Sequence, residues 1–246
     1  MIPSGMADTE RQFFATTRWT LVRAAAENGH PGAVEALGDL LERYWQPLYR
    51  HARRKGKSPE DAQDLVQGFY ARLVRDAPLG GLDRTRGTFR SFLLASFNNW
   101  MINEWRDSKR LKRGGGETLL SLDWEEAETG LKFEVSDERT PDRLFDRDWA
   151  HELLGRVLSD LRASCKAEGN EAQFEQLRAS LAADSSRLPY AQLAANLHIS
   201  EGAARVAVHR LRKRYRMLLR EEIDRTLSDD GSVEEEMKAL FAALAE

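Results

Sequence analysis

Apolar residues recur along most of this chain at intervals of three and four, the spacing that lines one face of a helix, and no segment sustains the alternation of a half-buried strand. Leu37, Leu40, Leu41, Tyr44, Trp45 and Leu48 form one such stripe and predict a helix from about 31 to 55. The next begins at Ser58-Pro59-Glu60-Asp61, where serine can cap, proline suits the first helical position and acids favour the positive end of the dipole. Its stripe is Ala62, Leu65, Val66, Phe69, Tyr70 and Leu73, and Asp76-Ala77-Pro78-Leu79-Gly80-Gly81 ends it. A third helix carries Phe89, Phe92, Leu93, Ser96, Phe97 and Trp100 and runs through Trp105 toward Gly114-Gly115-Gly116. A shorter one is expected around Trp19 to Ala26. Helical periodicity returns at Trp149, Leu153, Leu154, Val157, Leu158 and Leu161, and again at Phe174, Leu177 and Leu181.

From Leu188 to Arg220 two stripes are interrupted by a short turn: Leu193, Ala194 and Leu197, then Ala204, Val208 and Leu211. This is the pattern of a helix-turn-helix. Ser200 is placed to cap the second helix, and His198 falls where the turn calls for a left-handed backbone. The second helix then carries seven arginines and lysines against Glu201, a surface suited to phosphates. A last stripe, Val233, Met237, Leu240, Phe241 and Leu244, predicts an amphipathic C-terminal helix with acids at its start, docking on its own chain or on a regulator.

These elements make an all-α protein of two small helical domains joined by an acidic linker. The expected divisions are an N-terminal extension with a short helix (1–28), a first domain (29–113), the linker (114–147), a helix-turn-helix domain (148–224) and an acidic tail (225–246).

Net charge is only −3 over 246 residues, which on average argues against a nucleic-acid binder, yet the charge lies in blocks. Residues 84–113 hold eight bases against two acids, residues 117–152 twelve acids against four bases, and nine acids follow Arg220. In the first block Phe, Trp and Asn are interleaved with Arg, a composition suited to melted DNA, where aromatics stack on bases and cations meet the backbone. Phe89, Phe92, Phe97 and Trp100 share a core-like stripe, so Arg86, Arg90, Asn98, Asn99, Asn103, Arg106, Lys109 and Arg110 are the side chains expected at DNA.

Other chemistries find little support. The five histidines, His30, His51, His151, His198 and His209, are scattered without metal-ligand spacing, and no glycine-rich phosphate loop follows a strand. Cys165 has no partner cysteine and fits a reducing cytoplasm. No run of apolar residues approaches a membrane span, and the acid-bearing N-terminus is unlike a signal peptide. Neither an enzyme, a cofactor nor a metal is expected. A helix-turn-helix regulator of duplex operators remains an alternative, but has no use for the asparagine-rich aromatic block.

Three segments in order resemble the bacterial RNA polymerase sigma factors of the extracytoplasmic-function (ECF) class, within the sigma-70-type family. They are EDAQDLVQGFYARL at 60–73, GTFRSFLLASFNNWMINEWRDSKR at 87–110 and YAQLAANLHISEGAARVAVHRLRKRY at 190–215. The resemblance implies a region 2-like domain, a region 4-like helix-turn-helix domain and a cytoplasmic transcription-initiation factor that directs core RNA polymerase to promoter DNA. Asp61, Asp64, Leu65 and Gln67 would meet the polymerase clamp. The Arg84–Ser91 loop would accept a base flipped from the minus-10 element, and the expected DNA-facing side chains of the block would lie along that element. Ser200, Ala203, Arg205, Val206, His209, Arg210 and Arg212 would approach the minus-35 element. An anti-sigma factor or other regulator is a further implied partner. His198 stands where the family usually has glycine, and Ala203, Val206 and Ala207 where it often has polar residues.

Overall fold

The computed structural model describes residues 38, 41–76, 89–108, 123–132, 140–182, 188–227 and 232–245. The short helix expected at Trp19 to Ala26 lies outside them. Every regular element among the described residues is helical, as the periodicity predicts. The chain divides into two compact units, one formed from Met1–Glu152 with Ile223–Glu246 and the other from Leu153–Glu222.

In the first unit, α1 (Trp45–Arg54), α2 (Pro59–Asp76) and α3 (Phe89–Ser108) carry the core. The stripe beginning at Leu37 predicts one continuous helix, but the backbone turns at Arg43-Tyr44 and α1 starts afresh at Trp45. Pro47 is the reason: it has no N–H to offer the carbonyl four residues back, so it fits only a first turn. At the head of α2, Ser58 caps as expected, its Oγ accepting the Asp61 N–H at 3.0 Å. Leu48, Ala62, Val66, Leu93 and Phe97 are wholly buried, and Phe69 meets Phe97 edge-on at 5.2 Å. Burial of a side chain such as Phe97 is worth about 1.5–3 kcal/mol.

Order extends into the stretch expected as a linker. Helix α4 (Trp124–Lys132) buries Ala127 and sets Trp124 against Trp45 at 5.1 Å and Tyr49 at 5.3 Å. Helix α5 (Pro141–Ala167) starts at Thr140-Pro141, which reads as a break but supplies a first-turn proline and a threonine beside it. Acids of the 117–152 block serve α1: Glu128 accepts from Tyr49 at 2.7 Å and from Arg53 at 2.8 Å, and buried Asp148, just past the expected linker, pairs with Arg54 at 2.6 Å. Part of the linker's negative charge is therefore matched inside the first unit. The C-terminal helix α9 (Val233–Ala245) also belongs to it and buries Glu236 and Leu240.

The second unit holds the rest of α5, then α6 (Glu171–Leu177), a 3-10 turn (Arg178–Leu181), α7 (Tyr190–Leu197) and most of α8 (Glu201–Asp224). Leu161, Cys165, Phe174, Leu177, Val208 and Leu211 form its core, with Leu193 and Leu197 against it. Between α7 and α8, His198 adopts φ 54°, ψ 41°, the left-handed conformation the turn requires. Its N–H and that of Ile199 close the end of α7 on the Ala195 and Ala194 carbonyls, and Ser200 Oγ accepts the Ala203 N–H at 3.2 Å. The helix-turn-helix is formed as the sequence predicts.

Candidate nucleic-acid interface

Helix α3 turns one face to the core through Phe89, Leu93, Phe97 and Met101. On one flank of that face Phe92, Ser96, Asn99, Trp100 and Asn103 join Phe69, Arg72 and Leu73 of α2 around a cavity of about 190 Å³. Asn99 and Asn103 are exposed and one helical turn apart, so their amides open to the same side. Trp100 is fixed in place: its indole N–H donates to the Leu65 carbonyl at 3.1 Å, and the Arg72 guanidinium lies 5.5 Å from the ring centre. Gly68 makes room for it, since a Cβ there would stand 3.2 Å from the indole. A half-buried aromatic wall beside two exposed amides can stack a base on one side and read an edge on the other.

Two residues expected at DNA are committed elsewhere. Asn98 lies on the opposite flank of the core stripe, its side-chain amide 2.9 Å from Nε2 of wholly buried His51. His51 Nδ1 lies 3.2 Å from the Pro141 carbonyl and Nε2 lies 2.9 Å from the Asn98 Oδ1, so both ring nitrogens face an oxygen. Burial holds the imidazole pKa below its usual value. Arg90 is also buried, bonded to Asp146 at 3.0 Å and stacked 4.2 Å over Trp149. It sits three, seven and eleven residues before Leu93, Phe97 and Met101, a register that already places it on the core face. Arg86, Lys109 and Arg110 lie outside the described residues, as does the side chain of Arg106.

On α2, Asp61 and Asp64 are exposed one turn apart, and Leu65 and Gln67 are half-buried beside them. Helix α8 exposes Ala203, Val206, His209 and Arg210. Lys213 continues the series from Val206 at i+3, i+4 and i+7; it is exposed on the same face, and the period could have added it to the expected contacts. Arg205 is exposed but engaged, bridging Glu201 at 2.6 Å and lying 4.2 Å over the Tyr190 ring of α7. Arg212 departs from the expectation: its Nε and Nη2 donate to the Ser180 carbonyl at 2.9 and 2.6 Å, tying α8 to the 3-10 turn. Arg214 likewise holds α8 to the end of α5, donating to Glu168 and Ser164. That guanidinium keeps the Glu168 carboxyl pKa below its usual value.

Residues 40–111, covering α1 to α3, match the family model for Sigma-70 region 2. The chain carries a sigma-70 region 2 domain. Its region 2 domain is a non-enzymatic transcription-factor module, and the chain has a sigma-factor role in transcription initiation. The match ends before α4, so the helix-turn-helix stands on its own geometry. No curated protein and no solved structure matches the chain. Among the described residues, no group of side chains is arranged to hold a metal ion and no helix is long and apolar enough to cross a membrane.

Proposed function

We propose that this protein is an ECF-class sigma factor that binds core RNA polymerase, directs it to promoters with minus-10 and minus-35 elements, and assists their melting. The observation that carries the reading is the α3 cavity inside the region 2 match, where Asn99 and Asn103 stand exposed beside the fixed ring of Trp100. A protein that read only duplex DNA would have no use for an aromatic wall at base-stacking height. Extrusion of a base costs a few kcal/mol, which stacking at about 1–3 kcal/mol and amide contacts can offset.

The remaining roles follow from exposure and charge. Asp61 and Asp64, with Leu65 and Gln67, form the surface offered to the polymerase clamp. Val206, His209, Arg210 and Lys213 form the face offered to the minus-35 major groove; Val206 suits a thymine methyl and the cations suit phosphates or guanine edges. The few polar groups on that face leave much of its affinity to the backbone.

Transcription in vitro with purified core polymerase on a library of genomic fragments tests this. Start sites that depend on the protein and share paired upstream elements are expected. Failure both to bind core and to initiate overturns the reading, and tight binding to palindromic duplex without core assigns the protein to duplex-reading regulators instead.

A further inference from the structure

Helix α7 holds an arginine of α8. Tyr190, the first residue of α7, is half-buried against the core of the second unit, and the Arg205 guanidinium lies over its ring at 4.2 Å from the centre. Within α8, Glu201 accepts from Arg205 Nη2 at 2.6 Å across one helical turn. These contacts restrain the cation without covering it, since 58% of the Arg205 side chain and 49% of that of Glu201 stay accessible. Among the described residues, Nη2 is the only nitrogen of this guanidinium with a hydrogen-bond partner.

An unrestrained arginine spreads over many rotamers, and ordering it on a ligand consumes part of what its contacts supply. A planar cation lies flat on an aromatic face, so the stack and the ion pair together fix the plane of the guanidinium before DNA arrives. Neither contact withholds it, because an exposed pair of this kind is weak and screened by salt. The position suits presentation. Arg205 is the fifth residue of α8 and stands one turn before His209, beside the face offered to the minus-35 groove. In a helix-turn-helix the early residues of the second helix are those that reach base edges.

We propose that Tyr190 is a positioning residue for DNA recognition: its ring, together with Glu201, presents Arg205 to a guanine edge of the minus-35 element. The proposal rests on the reading of α8 as the helix that enters that element. Arg205 thereby joins Val206, His209, Arg210 and Lys213, and α7 takes a share in base choice although Tyr190 itself touches no base.

The test uses the full chain with core polymerase and a promoter duplex recovered from the genomic library, set against the same duplex with its minus-35 element scrambled. The readout is the ratio of the two affinities, which cancels changes in overall charge and in the amount of folded protein. Arg205→Ala should lower the ratio at least about fivefold, the lower end of what an arginine–guanine pair contributes. Tyr190→Leu keeps apolar packing but removes the ring and should lower it about threefold; Tyr190→Phe keeps the ring and should stay within about 1.5-fold of the wild type. In an Arg205→Ala background Tyr190→Leu should change nothing further. An unchanged ratio in Arg205→Ala or Tyr190→Leu, equal losses in Tyr190→Phe and Tyr190→Leu, or a Tyr190→Leu loss that persists without Arg205 overturns the positioning role. If Tyr190→Leu unfolds the second unit, the exposed Glu201→Ala decides: it should lower the ratio about twofold when Arg205 is present and not when it is absent, and any other result overturns the proposal. Recovery of no promoter sinks the proposed function and this inference with it, whereas a promoter read through Arg210 but indifferent to Arg205 and Tyr190 sinks the inference alone.

Discussion

His51 and Asn98 hold each other in the interior of the region 2 domain, imidazole Nε2 to side-chain amide at 2.9 Å. The pair joins α1 to α3, and through Nδ1 it reaches the first residue of α5. Removing the amide leaves a buried ring nitrogen without its partner, a loss of about 1–3 kcal/mol. Asn98→Ala should therefore lower the unfolding free energy by that amount in urea titrations, while promoter affinity of the folded protein stays unchanged. A selective loss of promoter affinity with stability intact would return Asn98 to the DNA surface.

The same histidine gives stability a pH dependence of known sign. Burial, then the positive Lys55, disfavour its protonation, while Asn98, Pro141 and the Asp142 carboxylate oppose them; the net direction is down. The unfolded chain therefore takes up the proton first, and stability falls as pH drops below about 6.5 toward the folded pKa. Glu236 acts oppositely, since its raised folded pKa makes its share of stability largest at low pH and diminishes it as pH rises. The two are separable by difference: wild type minus His51→Gln should lose stability between pH 7.5 and 5.5, roughly the span in which a free histidine titrates. A pH-independent difference would mean that His51 is not buried neutral.

Asn99 and Asn103 should behave unlike Asn98. Both are exposed at the α3 cavity, so their replacement by alanine costs the fold little. Under the proposed function each change weakens binding to a promoter with an unpaired minus-10 strand by roughly 1–3 kcal/mol, the worth of an amide–base pair. Binding to fully paired DNA should move less. Equal loss on both substrates would remove the base-reading role.

The contrast among these three asparagines shows what the sequence can convey. Their residue type is legible, and so is the core stripe of Phe89, Leu93, Phe97 and Met101, because both depend on positions a turn or two apart. Arg90 could have been assigned inward by the same register. Its acid, however, lies 146 positions along the chain in α9, and the acid for Arg53 lies 75 positions away in α4. No local pattern announces such pairs. Charge blocks were visible, but a block that looks like a solvated linker can spend its acids on a neighbouring helix, as Glu128 and Asp148 do. The helix-turn-helix was legible almost to the residue, since a cap, a left-handed turn and two stripes are all short-range features.

Arg210 and Arg212 differ by two positions and should differ in kind. Arg210 is exposed on the face shared with Val206 and Lys213, so Arg210→Ala should weaken promoter binding by roughly 1–3 kcal/mol without loss of stability. Arg212 spends two donors on the Ser180 carbonyl; Arg212→Ala strands that acceptor and should destabilise the second unit by about 1–3 kcal/mol. Paired measurements of thermal unfolding and of promoter affinity with core polymerase separate the two. The reverse assignment would show that Arg212 leaves Ser180 for DNA.

His198 tests the turn itself. Its φ of 54° is the one positive value recorded for a non-glycine residue among the described positions, and a left-handed conformation costs an L-residue about 1–2 kcal/mol. Glycine removes that strain but adds freedom to the unfolded chain, worth about 0.4–1 kcal/mol against it. The side chain is exposed, so no packing is lost. His198→Gly should therefore stabilise the helix-turn-helix by a net of roughly 0.5 kcal/mol, seen as a small rise in the midpoint of its unfolding, with promoter affinity unchanged. A fall in affinity at unchanged or higher stability would instead give the imidazole a contact with DNA.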